Sequence, residues 1–503
     1  MRRIALAALL AAACSSGPAG TTITNVRIVD GTGAPAVLGA VRFVGDSIVA
    51  VGDVRPTRGD SVIDGGGLVL APGFIDTHSH HTGDLLDMPE ALGAVSQGIT
   101  TIVGGNDGNS PYPLKAAFDT LAKVAPSVNV AYYAGHGDLR WSVMQADFER
   151  VATPAEVDSM ASLLQQEMDA GALGLSTGLE YDPGIYSDRA EVLALAKVAA
   201  RNGGRYISHI RSEDRTFWDA IDEIITIGRE ARLPVQVSHV KLAMLPLWGR
   251  TDSLFTLLDG ARRAGIDITA DVYPYPYWQS TLTVLFPERD FTDRREAEKV
   301  LREIARPEGL LIGSFGPDST YEGRTVAELA VRRREDPAST LMGLIREALA
   351  WEQRPENHGR SGESVVATSM AESDIVKLMQ WEHTNICSDG ALDGAHPRGF
   401  GAFTRVLGRY VREQQVLPLE EAIRKMTSLS AAHVGIVRRG TLAPGMFADL
   451  VLLDPATVID HATPQAPHEV SSGIVRVWVN GATVWADGRT VRSRSGRGLQ
   501  RAR

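Results

Sequence analysis

Eight short apolar segments recur along the middle of the chain, most of them followed by helix-forming sequence. This alternation restricts the fold more than any other feature. The segments are residues 74–80, 100–105, 128–135, 172–178, 206–211, 235–241, 266–273 and 384–389, with helical stretches such as 154–170, 188–201, 214–232 and 253–264 between them. Strands that alternate with helices pair in parallel, because each crossover helix returns the chain to run in the same direction. Eight such units predict a (β/α)8 TIM-like barrel over residues 71–435. The stretch 276–383 is too long for one crossover. It contains helix-like runs at 293–304, 325–334 and 339–351 and a strand-like run at 310–315, so an α/β insertion is expected before the last barrel strand.

Both ends have a different texture. Residues 21–70 and 436–493 carry short alternating runs, such as Ile23-Thr24-Asn25-Val26 and Val475-Arg476-Val477-Trp478-Val479, broken by Gly and Asp turns. Period-two alternation marks half-buried strands, so the two pieces are expected to form one small β-sandwich domain. Residues 1–20 stand apart: Met1-Arg2-Arg3, an apolar run, then Ala11-Ala12-Ala13-Cys14 and a Ser/Gly-rich tether. The run is shorter than the ~20 residues of a membrane span and suits a signal peptide. Cys14 sits where a bacterial lipoprotein is cleaved and lipidated. The expectation is an exported protein of the cell envelope or periplasm, held to the membrane only through Cys14; the alternative is a plain cleaved signal in which Cys14 is incidental.

Two cysteines exclude a disulfide framework and a Cys-rich zinc module. The net charge of −10, from 51 basic and 61 acidic residues, argues against nucleic acid as a partner, since phosphate binding needs a basic stripe. The basic tail from Arg489 onward reads as a frayed, solvated terminus.

The chemistry-bearing residues gather at the carboxyl ends of the predicted strands. His78-Ser79-His80 closes the first, and residues i and i+2 of a strand face one side, so both imidazoles point into the barrel mouth. His209 closes the fifth, His239 the sixth and Asp389 the eighth. Barrel enzymes keep their active sites at that face, and neutral imidazoles with a carboxylate bind divalent metals. By the same alternation Arg211 lies on the face of His209 and Lys241 on that of His239, so both cations are expected beside the metal. Tyr181 and Tyr273 supply hydroxyl donors, and His136 at the third strand's end is a candidate for orienting substrate.

The sequence resembles the metal-dependent amidohydrolase superfamily, and within it the D-aminoacylase (N-acyl-D-amino-acid deacylase) family. Pro72-Gly73-Phe74-Ile75-Asp76-Thr77-His78-Ser79-His80, Leu175-Ser176-Thr177-Gly178-Leu179-Glu180-Tyr181, Ser208-His209-Ile210-Arg211-Ser212-Glu213 and Ser388-Asp389-Gly390 carry the resemblance. It implies hydrolysis of a small-molecule amide by a metal-activated water, with Asp389 as general base and one or two zinc ions as cofactor. It also implies that His78, His80, Asp107, His209, His239 and Asp389 surround the metal, and that the Lys and Tyr positions contact the substrate carboxylate.

There are departures. Related deacylases have a metal-binding cysteine after the second strand, where this chain reads Gly105-Asn106-Asp107-Gly108. An oxygen donor at Asp107 is harder than sulfur, so manganese or cobalt should be accepted as well as zinc. The alternative is that Asp107 only makes a turn with Gly108. The bridging carboxylated lysine of many superfamily members is replaced by Ser176. Glu180 is either an additional metal or substrate contact or a structural acid. Two other functions stand beside the deacylase reading: a cyclic-amide hydrolase or dipeptidase of the same superfamily, and a non-catalytic metal-binding lipoprotein.

Overall fold

The computed structural model describes residues 18–502, so Cys14 and the apolar run before it lie outside the described residues. Phe74–Asp76, Ile99–Gly104 and Asn129–Tyr132 form a parallel three-stranded sheet. Ala134–Gly135, Gly174–Gly178, Arg205–His209, Val235–Val237, Ile268–Val272 and Thr384–Ile386 form a parallel six-stranded sheet in that order. The third predicted strand is therefore interrupted at Tyr133. All eight segments contain strands, yet several stop early: 235–241 shrinks to Val235–Val237 and 384–389 to Thr384–Ile386. The cause is local. His239 and Asp389 have φ of +32° and +51°, a left-handed backbone that cannot continue a ladder.

Helices fill the connections as the apolar spacing requires. Pro154–Ala170 begins with a capping box, in which Thr153 Oγ1 accepts from Glu156 N while Glu156 accepts from Thr153 N. Such a cap contributes about 1 kcal/mol. Phe217–Ala231 buries Phe217, Ile221, Ile224 and Ile227, the i, i+4, i+7 stripe of a helix lying on a sheet.

The stretch between Ile268–Val272 and Thr384–Ile386 carries the expected strand Leu310–Phe315 and helices Arg294–Glu303, Val326–Arg333 and Pro337–Glu352. It also carries two strands that the sequence reading left out, Tyr277–Ser280 and Glu363–Thr368, which complete an antiparallel three-stranded sheet. A nine-stranded sheet draws on both ends of the chain, with Leu450–Leu453 joined antiparallel to Val69–Pro72. Ile23, Val41, Phe43, Leu450, Leu452 and Trp478 pack in one buried cluster on it.

The tail is not frayed. Val130 N donates to Arg497 O at 2.9 Å and Leu499 N to Val130 O at 2.7 Å, so the tail lies along a parallel strand. Gly496 permits the approach, because a Cβ there would sit 1.9 Å from the Val128 carbonyl oxygen. Among the described residues no helix is long and apolar enough to cross a membrane.

Candidate active site

The strand register brings the chemistry together. Gly178 pairs with His209 and Ser208 with Val237, so neighbouring strands end at one level. His239 is held just past its strand by its own N–H, which donates to Asp271 Oδ1 at 2.5 Å. Asp76 accepts from Ser388 N at 2.8 Å and fixes the turn that presents Asp389. Asp107 also has a left-handed backbone, at φ +53°, and Gly108 N donates to Ser176 Oγ at 3.0 Å. Ser176 thus braces the turn that aims Asp107. Asp107 is a turn residue and its carboxylate is in the cluster; the two readings are not exclusive.

Asp107 Oδ2 lies 3.1 Å from His78 Nε2 and 3.2 Å from His80 Nε2, and Oδ1 lies 3.3 Å from His239 Nε2. Asp389 Oδ1 is 3.5 Å from His78 Nε2 and 3.2 Å from His80 Nε2. Next to this group, His209 Nδ1 lies 3.1 Å from His239 Nε2 and Glu213 Oε1 lies 3.1 Å from His239 Nδ1. Two donor groups suited to a metal emerge: His78, Asp107, His239 and Asp389, and His209, Glu213 and His239. Metal–ligand bonds of ~2.0–2.2 Å in a tetrahedron put the donor atoms ~3.3–3.6 Å apart, which matches these spacings.

Electrostatics agree. Burial by itself would raise the Asp107 carboxyl, but His78 and His239 outweigh it and hold it well below the usual range. Burial likewise opposes charging of His80 and His239. Carboxylates including Asp107 and Asp389 nevertheless push them up, to about 9 and about 10. So much buried negative charge needs protons on the imidazoles or a cation in their place.

Around the cluster the other candidates separate. Glu180 Oε2 is 3.0 Å from His209 Nε2 and its Oε1 accepts from Glu213 N at 2.7 Å, so it orients His209 from behind. Tyr181 packs on the His209 ring at 4.4 Å between centroids. Lys241 Nζ donates to Glu213 at 2.6 and 2.8 Å and sits 2.7 Å from His239 Nδ1. The Tyr273 hydroxyl is buried without a hydrogen-bond partner.

Two of the expected substrate contacts lie away from the cluster. Arg211 does not flank the cluster: its guanidinium grips Glu223 at 2.8 and 2.9 Å and donates to Ser187 O. The strand ends at His209, so the alternation that placed Arg211 beside it no longer applies. His136 is sealed against Glu191 at 2.7 Å, and Glu191 also receives Arg140, which makes a buried structural triad. Arg211→Ala should accordingly cost about 2 kcal/mol of stability by leaving the buried Glu223 with only the more distant Arg189, at 3.6 Å. The denaturation midpoint should fall while kcat/KM of the folded protein changes by less than ~3-fold; a raised KM at unchanged stability would restore Arg211 as a substrate contact.

Two residues were missed. Glu213 stands four residues after His209 in a motif already singled out, and that spacing from His209 was the available signal. Burial opposes its ionisation, yet Lys241 draws it down to about 2. Arg398 left no periodic signal. It opens the helix Arg398–Arg405, is buried, and its Nη1 lies 2.5 Å from Asp389 Oδ2 and its guanidinium 4.8 Å from the Tyr273 ring centre.

Comparison with known proteins gives the class. A family model described as "Amidohydrolase family" matches residues 61–308 and 326–485. The chain belongs to the amidohydrolase family, enzymes that hydrolyse carbon–nitrogen bonds other than peptide bonds. More particularly, it is 38% identical to an N-acyl-D-aspartate deacylase of Alcaligenes xylosoxydans xylosoxydans, over 95% of this chain and 94% of that one. It is 33% identical to a D-aminoacylase of the same organism, over 97% and 98%. The structure of an N-acyl-D-glutamate deacylase from Bordetella bronchiseptica, complexed with zinc and a phosphonate mimic of the tetrahedral intermediate, superposes with a TM-score of 0.84. It is 33% identical, covering 96% of this chain and 100% of that one.

Proposed function

We propose that the chain hydrolyses the amide bond of N-acyl-D-amino acids in a metal-dependent reaction, with zinc as the natural ion. The observation that carries this reading is the coexistence, in one cavity, of the imidazole–carboxylate cluster and two buried cations, Lys241 and Arg398. His78, Asp107, His239 and Asp389 would hold one ion, and His209, Glu213 and His239 a second. When bound, such an ion supplies Lewis acidity to the amide carbonyl and to a water molecule.

The chain's own residues do the rest. Asp389 takes the proton from the attacking water and passes it to the departing nitrogen. Burial would raise its carboxyl, but Arg398 and His239 hold it well below the usual range. A substrate carboxylate arriving at Arg398 shares that guanidinium between two anions, which raises Asp389 towards a working base. Lys241 and the hydroxyls of Tyr181 and Tyr273 complete the anchor for the carboxylate.

The reading extends to the architecture. We place the two parallel sheets in one (β/α)8 barrel, supported by Asp389 N donating to His78 O at 2.8 Å and His80 N to Gly390 O at 2.9 Å between the first and last strands. The nine-stranded sheet would be a separate small β-domain, and export with lipidation at Cys14 would put the enzyme in the cell envelope. Zinc-supplemented protein should release free amino acid from N-acetyl-D-leucine at least ~100-fold faster than from N-acetyl-L-leucine. Ring opening of a cyclic amide in its place would support the cyclic-amide hydrolase alternative, and bound metal without any turnover the non-catalytic metal-binding one.

A further inference from the structure

The cavity holding the cluster has a volume of about 960 Å³ and continues to the insertion, where Trp278, Ser280, Gly313, Ser314, Glu363 and Ser364 line it. We propose that this insertion wall selects substrates carrying a cationic or hydrogen-bond-donating group away from the reacting amide, and that Glu363 recognises that group. The inference rests on the deacylase reading and adds the class of substrate.

Glu363 opens the strand Glu363–Thr368 and is only 3% exposed. Its Oε1 accepts from Leu282 N at 2.7 Å, whereas its Oε2 has no hydrogen-bond partner. A buried carboxyl oxygen beside a cavity, left without a donor, is a group waiting for one from outside the chain. Burial, helped by Glu352, pushes this carboxyl up to about 8, as expected where nothing compensates its charge.

The surrounding charge points the same way. Away from the imidazole cluster the cavity is lined by Asp138, Asp182, Asp214, Glu363 and Asp393. Asp182 and Asp214 face Arg289 and Arg215, but Asp138, Glu363 and Asp393 have no cationic partner among the described residues. Among the described residues the Lys and Arg side chains of the lining are Lys241 and Arg398, and the deacylase reading assigns both to the α-carboxylate of the substrate. Arg289, near the wall, is tied to Asp182 and to the carbonyls of Glu180, Thr283 and Phe286. An acidic side chain such as glutamate would meet a carboxyl that ionises only when a cation offsets its burial, the acidic groups of Asp138 and Asp393, and no further cation, which is a device for rejecting it.

The recognised group can belong to the amino-acid side chain or to the acyl arm, and four substrates separate these sources: N-acetyl-D-alanine, N-acetyl-D-lysine, N-acetyl-D-glutamate and N-glycyl-D-alanine. The expected result is a kcat/KM for one of the two cationic compounds at least ~30-fold above that for N-acetyl-D-glutamate and above that for N-acetyl-D-alanine. Which of the two it is identifies the arm. Glu363→Gln keeps an acceptor for Leu282 and should lower the ratio of the favoured cationic compound to N-acetyl-D-alanine at least ~10-fold. Ser364→Lys, which adds a cation beside it, should move the ranking towards N-acetyl-D-glutamate, and it keeps the test open if the first variant does not fold. N-acetyl-D-glutamate hydrolysed as well as both cationic compounds, or a ranking unmoved in the folded variants, overturns the inference alone. No hydrolysis of any of the four overturns the deacylase reading with it.

Discussion

Replacing Asp389 by Asn is expected to lower kcat by about 10³-fold while most of the bound metal is retained, since His78, Asp107 and His239 would still hold the ion. The amide keeps the size of the carboxyl and an oxygen facing His78 and His80, but it cannot accept the proton that the reaction must move. Arg398 would lose its anionic partner at 2.5 Å, so KM for a carboxylate substrate should fall or stay level as kcat collapses. This split separates a base from a structural acid. A merely structural Asp389 would show reduced stability and reduced metal with near-normal turnover per folded, loaded molecule.

The second large effect is expected at Asp107. Its two oxygens reach His78, His80 and His239 within 3.3 Å, so it ties the imidazoles of three residues into one cluster. Asp107→Asn should weaken metal retention by ~10–100-fold or more and reduce activity in parallel, with excess metal restoring part of both. Asp107→Cys should recover zinc binding in preference to manganese, because a thiolate is the softer donor. Turnover by the unmodified protein should resist thiol-directed reagents, since Cys387, the cysteine among the described residues, is fully buried. Full metal and full turnover in Asp107→Asn after dialysis against chelator would reduce Asp107 to its role in the turn.

The strands were legible in the sequence because strands covered on both faces read as continuous apolar runs, and the helices because each buries one stripe. The histidines and Asp389 were legible from their place at the strand ends. What alternation could not reach was anything beyond the last ladder hydrogen bond. Arg211 was assigned by continuing the strand two residues past His209, where the chain has already turned and the helix Phe217–Ala231 offers Glu223 as its partner. Lys241 also lies past its strand, yet it reaches the site because Glu213 folds over to meet it. Arg398 stands in the first turn of the helix Arg398–Arg405, and its pairing with Asp389 is a tertiary contact that no periodicity encodes. The tail was misread for a related reason: its basic composition suggested solvent, while Gly496 and Gly498 allow close backbone contact with the strand at Val130.

The most direct test of the account is release of free amino acid from N-acetyl-D-leucine by protein stripped with chelator and then titrated with zinc. The account predicts negligible hydrolysis by the stripped protein and recovery that tracks bound zinc, with the L-enantiomer left intact throughout. Undiminished hydrolysis by metal-free protein, or fully loaded protein that leaves the D-substrate untouched, would contradict it.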